Sequence, residues 1–200
     1  MKKVLLINGS PNENGNTSIA LKEIAAQLRL HGVDSEIYWI GAAPMQGCIG
    51  CGNCGGDSGC ILADDVNECA EILRGCDALV IGSPVYYGGA NGALCAFLDR
   101  LFYSHGGELD GKPGACAVVC RRGGASAAFD RLNKYFTISN MPVAPSQYWN
   151  SVHGAAPGEA AADAEGLQTM RTLADNLAWM IDALPAPPTR QPHMRTSFIR

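Results

Sequence analysis

Short apolar runs alternate with amphipathic stretches along most of the chain. The runs at residues 4–7, 78–81 and 114–120 are rich in Val, Leu, Ile and Ala, which is typical of strands buried on both faces, and SEIYWI at residues 35–40 is a further predicted strand. In the stretches between them, apolar residues recur every three or four positions, as they do on one face of a helix. The pattern therefore predicts an α/β domain.

Five helices and a short fifth strand complete the predicted domain. The helices are expected at residues 20–30, from Asp64 or Asp65, from Asn91, from a Ser126 cap through Phe136, and at residues 160–184. The fifth strand is expected at residues 141–143. Strand–helix alternation implies right-handed crossovers and a parallel sheet covered on both faces. Ligands of such sheets lie beyond the carboxyl ends of the strands, so the loops there are the first candidates for chemistry.

Composition limits the class of protein further. The 200 residues are 47% hydrophobic and 17% charged, with a net charge of -4. Without a Lys or Arg run, nucleic acid is not expected as a partner. No apolar run approaches the ~18 residues of a membrane span, so we expect a cytoplasmic protein with no membrane partner.

We expect one domain over residues 1–184. The Pro-rich tail at 185–200 is predicted to be either a frayed end or an arm on a neighbouring subunit.

Three loops carry the candidate chemistry. The loop after the first strand, GSPNENGNTS, offers hydroxyls and free N–H groups at a helix start, which are the parts of an anion site. Its alternative is a polar turn capped by Thr17. Tyr86 and Tyr87 follow the third strand and present either a stacking surface for a planar ring or one core and one interface side chain. Arg121 and Arg122 follow the fourth strand and either contact such a ligand or remain solvated.

In this order, the three loops resemble those of the NAD(P)H-dependent FMN reductase branch of the flavodoxin-like proteins. The shared pattern is S-P-N-x-x-G-N-T-S, then S-P-V-Y-Y-G, then R-R-G-G, each between a strand and a helix. The resemblance covers residues 1–184 and implies a three-layer fold with a five-stranded parallel sheet of order 2-1-3-4-5 that carries FMN. It assigns the flavin phosphate to Ser10, Asn12, Asn16, Thr17 and Ser18. It assigns the ring to Pro84, Val85, Tyr86, Tyr87, Gly88, Arg121, Arg122, Gly123 and Gly124.

The implied reaction passes a hydride from NAD(P)H to flavin N5 and then electrons to a small acceptor, such as a flavin, a quinone or a nitro or azo compound. The flavin supplies this chemistry, so no catalytic side chain is assigned. An electron carrier and a redox sensor remain as alternatives. The four histidines are expected at the surface or at helix ends. The resemblance also implies a homodimer or homotetramer.

Four of the nine cysteines, Cys48, Cys51, Cys54 and Cys60, fall within thirteen residues. Their compact spacing resembles that of the iron–sulfur flavoproteins, which combine FMN with a [4Fe-4S] cluster. A structural zinc site, a thiol redox switch and a loop without metal are the other interpretations. Residues 47–62 are therefore treated as an inserted cysteine loop.

Overall fold

The computed structural model describes residues 2–54, 59–192, 194 and 196. The strands are β1 Lys3–Asn8, β2 Asp34–Trp39, β3 Ala78–Tyr86, β4 Gly89–Ala90, β5 Gly114–Cys120 and β6 Ser151–His153. The α-helices are α1 Asn16–Leu30, α2 Asp65–Arg74, α3 Gly92–His105, α4 Ala125–Ile138 and α5 Ala164–Ala183. Short 3-10 helices at Gly106–Leu109 and Glu159–Ala162 follow α3 and precede α5.

Five strands form one parallel sheet in the order β2-β1-β3-β5-β6. The two-residue β4 lies off this path and pairs antiparallel with the end of β3. When this small hairpin is set aside, the order is 2-1-3-4-5, as the resemblance implied. The predicted fold class is therefore confirmed.

Helices cover both faces of the sheet, and successive strand residues point to opposite layers. Leu5 and Ile7 belong to the core beneath α2, α3 and α4. Val4 and Leu6 belong to the core beneath α1 and α5. This alternation follows from the two-residue period of a strand and explains why the inner strands β1 and β5 read as continuous apolar runs. Among the described residues, no helix is both long and apolar enough to cross a membrane.

The fifth strand lies further along the chain than the sequence predicted. Only Val143 of the predicted segment pairs with the sheet, in an isolated bridge to Gly114. Pairing with β5 resumes at Ser151–His153. Pro142 and Pro145 lack the N–H groups that a continuous ladder needs, so the edge strand is split.

Helix starts agree with the predicted caps at two of the three assigned positions. Asp64 caps α2 by accepting from the Val66 amide, and Asn91 caps α3 by accepting from the Ala93 amide. The predicted Ser126 cap of α4 is wrong. Gly124 occupies the cap position with a φ of 91°, which a residue without a β-carbon adopts readily.

The first part of the C-terminal tail lies on the chain's own domain. The side chain of Pro187 packs close to Gly111, and the Arg190 guanidinium forms an ion pair of 2.7 Å with Asp110. Arg190 also donates to the Ser139 carbonyl at 3.1 Å. These contacts are intramolecular. Residues 193, 195 and 197–200 lie outside the described residues, and the division at residue 184 stays a prediction.

Candidate active site

The three candidate loops meet at one edge because β1, β3 and β5 are adjacent and parallel. The amide of Gly9, the first residue after β1, donates to the Gly82 carbonyl in β3 at 2.9 Å. The strand neighbours thus bring together at the carboxyl edge the first two loops, which are more than sixty residues apart in sequence. This is the place at which parallel α/β sheets bind ligands.

The first loop is held by side chains that the sequence analysis did not single out. Asn8 Oδ1 accepts from the Ser10 amide at 3.1 Å, and Asn8 Nδ2 donates to the Glu13 carbonyl at 3.0 Å. Trp39 Nε1, from the neighbouring strand β2, donates to the Ser10 carbonyl at 2.8 Å. The Ser10 hydroxyl accepts from the Asn12 amide at 3.1 Å. The loop is consequently pre-formed by its own hydrogen bonds.

Helix α1 starts at this loop with its first amides uncapped by any side chain. Gly15 is the cap residue and provides no side-chain hydrogen bond, so the Thr17 cap predicted as an alternative is wrong. Thr17 and Ser18 are buried in the first turn. Neither hydroxyl has a hydrogen-bond partner within the described part of the chain. The turn thus combines free N–H groups with two hydroxyls, a donor set suited to an anion.

The Asn16 side chain forms hydrogen bonds to the loop after β6. Its Nδ2 donates to the Ala156 carbonyl at 2.9 Å, and its Oδ1 accepts from the amides of Gly158 and Ala160 at 3.0 and 3.2 Å. This fastens the loop after β6 to the start of α1. Since these bonds occupy both polar atoms of the side chain, only the backbone amide of Asn16 is left to bind the predicted flavin phosphate.

The second loop is a tight hairpin that displays both tyrosines. Tyr87 and Gly88 form its two-residue turn with φ values of 49° and 75°, and Val85 and Tyr86 pair with β4. Positive φ at both turn positions is typical of a hairpin whose twist matches its strands. Tyr86 is 46% exposed and Tyr87 fully so. The alternative that one tyrosine belongs to the core is wrong.

The third loop packs directly on the second. A β-carbon on Gly124 would lie 2.7 Å from the Gly88 α-carbon and 3.0 Å from Val85 Cγ1. Arg121 and Arg122 are exposed, and neither forms an ion pair with any described residue. Close glycine packing thus brings the loop that carries the two unpaired arginines beside the tyrosine hairpin.

Asn91 joins the first and second loops. Its Nδ2 donates to the Gly9 carbonyl at 2.7 Å, and its backbone amide donates to the Ser83 hydroxyl at 3.0 Å. Asn91 also caps α3, so one buried residue connects the candidate flavin edge to that helix.

The four clustered cysteines line a single small cavity. Cys48 and Cys51 are exposed, whereas Cys54 and Cys60 are half-buried. Burial, followed by the charges of the three other thiols, raises the pKa of Cys54. Within the described residues, no three His, Cys, Asp or Glu side chains come close enough to share one metal ion. The ligands of a cluster bind separate irons and lie farther apart, so a cluster and a thiol-lined loop both remain predictions.

One side of the cysteine loop fits tightly against a buried histidine. A β-carbon on Gly59 would lie 2.7 Å from His105 Nε2, and Gly59 has a φ of 67°. His105 is 4% exposed, and its Nε2 has no partner among the described residues. His105 is the last residue of α3 and so occupies one of the expected helix ends; the other expectation, a surface position, is wrong for it. The surface position holds for His31 and His153, which are exposed, while His193 lies outside the described residues.

Arg100 is the largest functional candidate that the sequence analysis missed. Its side chain is 1% exposed beneath the cysteine loop, and its Nε donates to Cys60 Sγ at 3.4 Å. Its two terminal nitrogens bind the Asp64 carboxylate at 2.6 and 2.7 Å. The hydrogen bond from Arg100 lowers the pKa of Asp64. Position 100 lies three residues after Phe97 on the buried face of α3, and a charge there was the available signal.

The sheet order and its three polar edge loops define a protein of flavodoxin-like fold. A family model described as NADPH-dependent FMN reductase matches residues 2–156. The chain belongs to this family. An iron-sulfur flavoprotein of Methanocaldococcus jannaschii is 30% identical over 187 residues, which cover 90% of this chain and 97% of that protein. The resemblance inferred from the loops is confirmed.

Solved structures share the fold. A structure of RosB with a bound 8-demethyl-8-formylriboflavin-5'-phosphate intermediate has a TM-score of 0.74 at 13% identity and covers 100% of this chain and 96% of its own. An NAD(P)H:quinone oxidoreductase from Methanothermobacter marburgensis has a TM-score of 0.64 at 15% identity, covering 88% of this chain and 98% of its own. The family membership confirms a flavin-dependent oxidoreductase that uses FMN and NAD(P)H. The residues that bind them stay predictions.

Gly124 offers a direct test of how the second and third loops pack. We expect Gly124→Ala to lower the free energy of unfolding by about 1–3 kcal/mol, because the new methyl overlaps the Gly88 backbone and φ is positive. Gly123→Ala is the matched control, since a β-carbon there meets nothing within 4 Å. Urea unfolding of both variants provides the measurement. Equal stability of the two would contradict the packing.

Proposed function

We propose that the protein binds FMN across the three edge loops, oxidises NAD(P)H and reduces a small acceptor. The observation that carries the proposal is the meeting of these loops, fastened by Asn91 and by the contact of Gly124 with Gly88. When bound, FMN accepts a hydride at N5 and passes electrons on. The protein's part is to bind and orient the flavin and to tune it.

The phosphate is proposed to bind at the start of α1. The amides of residues 16–18 point out of the helix start, and the hydroxyls of Thr17 and Ser18 are free in the described structure. Ser10 and Asn12 complete the rim of this loop. The dipole of α1 adds a partial positive charge at the same end, so a dianionic phosphate is stabilised without a lysine.

The flavin ring is proposed to lie along the hairpin of Pro84, Val85, Tyr86, Tyr87 and Gly88, with the loop at residues 121–124 on its far edge. The exposed tyrosines offer aromatic surface, and the hairpin backbone offers hydrogen-bonding groups. The unpaired arginines offer positive charge, which favours the anionic reduced ring. Because Tyr87 is fully exposed, the nicotinamide and then the acceptor are proposed to approach in turn from its side of the hairpin.

The cysteine loop is proposed to hold a [4Fe-4S] cluster. The support is chemical: four thiols line one cavity, Gly50 and Gly52 have positive φ values, and the Gly50 amide donates to Cys48 Sγ at 3.4 Å. Glycines of this kind let backbone N–H groups approach cluster sulfurs. The electron relay between FMN and cluster remains the alternative function.

The phosphate assignment predicts a loss of affinity on removal of one hydroxyl. We expect Thr17→Val to raise the Kd for FMN about tenfold or more, because a hydrogen bond to a charged group contributes about 1.5–3 kcal/mol. Quenching of FMN fluorescence during titration of the apoprotein measures the Kd. Thr137→Val, at the exposed end of α4, is the control and should leave the Kd unchanged. An unchanged Kd in Thr17→Val would move the phosphate elsewhere.

Steady-state kinetics test the reductase function. We expect FMN-loaded protein to oxidise NADPH or NADH in the presence of a quinone, free flavin or nitro compound, and to do so more slowly once FMN is removed. If no nicotinamide is oxidised with any of these acceptors, while dithionite still reduces the bound flavin, the carrier alternative is favoured over the reductase.

Metal analysis tests the cysteine site. Protein purified anaerobically should be brown and contain about four irons per chain, and replacing any one of the four cysteines with serine should lower that content. Cys95→Ser, in α3, is the control because Cys95 does not line the cavity. Protein that contains no iron, and that reconstitution does not load with iron, would contradict the proposed cluster. Zinc bound in its place would favour a structural zinc site.

A further inference from the structure

The buried arginine beneath the cysteine loop has no role in the function described so far. Arg100 lies on α3 on the core side of the loop and is 1% exposed. A buried guanidinium is costly unless every N–H group finds a partner. The groups that contact Arg100 are therefore the ones that satisfy its N–H groups.

The guanidinium holds both flanks of the cysteine loop. Nη1 donates to the Gln46 carbonyl at 3.2 Å, just before Cys48. Nη2 donates to the Leu62 carbonyl at 3.3 Å, just after Cys60. One side chain thus fixes the separation between the two ends of the segment that carries all four thiols.

The charge of Arg100 is balanced by a neighbour that is itself held in place. Asp64 binds both terminal nitrogens, and its Oδ1 also accepts from the Val66 amide as the cap of α2. Two bonds to Asp64 and two to loop carbonyls account for four of the five N–H groups of the guanidinium. The weak contact of Nη1 with Met45 Sδ, at 3.7 Å, is additional.

The fifth N–H group is directed at a proposed ligand. Arg100 Nε donates to Cys60 Sγ at 3.4 Å, and rotation away from sulfur is prevented by the bidentate contact with Asp64. A neutral thiol is a weak acceptor, whereas a charge-assisted hydrogen bond to an ionised group is about twice as strong as a neutral one. The arrangement is therefore better matched to a metal-bound thiolate than to a free thiol.

We propose that Arg100 is a positioning residue for the metal centre at the cysteine loop: it places Cys60 and, through the Nε–H···S bond, raises the reduction potential of the centre. This inference rests on the cluster proposed above. A hydrogen bond to a ligand sulfur stabilises the additional negative charge of the reduced state, which is a principal means by which proteins set cluster potentials. Because Arg100 and Asp64 form a neutral pair, the bond itself supplies the effect.

The test compares midpoint potentials of the anaerobically reconstituted full-length protein. In Arg100→Gln, we expect the equilibrium constant for one-electron reduction of the centre to fall at least about tenfold, or 59 mV. The single variant leaves the Asp64 carboxylate without its partner, which could disturb folding. The double variant Asp64→Asn with Arg100→Gln avoids this, because it removes both charges. Its potential should also fall below that of the wild type. Arg171→Gln, an equal change of charge on α5 across the sheet, should have no effect.

Each outcome decides the proposal. A lowered potential in both Arg100 variants supports it, as does selective loss of iron from them while FMN and the Arg171→Gln control are unaffected. Wild-type potential and iron content in Arg100→Gln would overturn it and leave the cluster standing. Wild-type potential in the double variant would show that charge alone acts, which also overturns it. An iron-free wild type that still binds FMN would remove both this inference and the cluster.

Discussion

The hydrogen bonds of Asn91 are the interaction on which the arrangement of the site depends. Its side chain donates to the loop after β1, its amide donates to the Ser83 hydroxyl in β3, and its Oδ1 caps α3. Nine residues later the same helix places Arg100 beneath the cysteine loop, about 14 Å along its axis. One helix therefore connects the candidate flavin edge to the candidate metal centre and fixes the distance between their supports.

The candidate flavin site and the candidate metal site differ in the groups that they use to stabilise charge. The edge loops offer neutral hydroxyls, free amides and a helix dipole to the proposed phosphate, and keep Arg121 and Arg122 in solvent. The cysteine loop instead has a buried guanidinium whose charge is compensated by Asp64. Ion pairs of this kind contribute little net stability, since desolvation offsets the attraction. Arg100 is better explained by what it does for Cys60 than by what it adds to the fold.

The sequence was most informative where one local rule decides the structure. Apolar runs located β1, β3 and β5, because a strand buried on both faces must be apolar throughout, whereas the half-exposed edge strand β2 has an apolar run only in its second half. The fifth strand was predicted too early in the chain because Met141 and Val143 are residue types common in strands. Only Val143 pairs with the sheet, since the prolines on either side of it lack the N–H groups of a continuous ladder. Asn91 was recognised as a cap from residue type alone, and Asp64 as one of two candidates with Asp65.

The parts that could not be predicted depend on contacts between distant segments. Asn16 was assigned to the phosphate by its place in the motif, but the loop after β6, about 140 residues later, takes its side chain. Gly124 fits because Gly88 lies against it, and Arg100 is satisfied by carbonyls from both flanks of another loop. No local pattern encodes such pairs. An arginine on an apolar helix face indicates only that some partner exists.

The central claim is that one chain holds two redox centres, an FMN at the sheet edge and a cluster at the cysteine loop. Anaerobic reductive titration with dithionite, followed by absorption, counts the electrons that each chain accepts. Two centres predict about three electrons, about two taken up by the flavin and about one by the cluster. Saturation at about two electrons, with only the flavin spectrum changing, would contradict the claim.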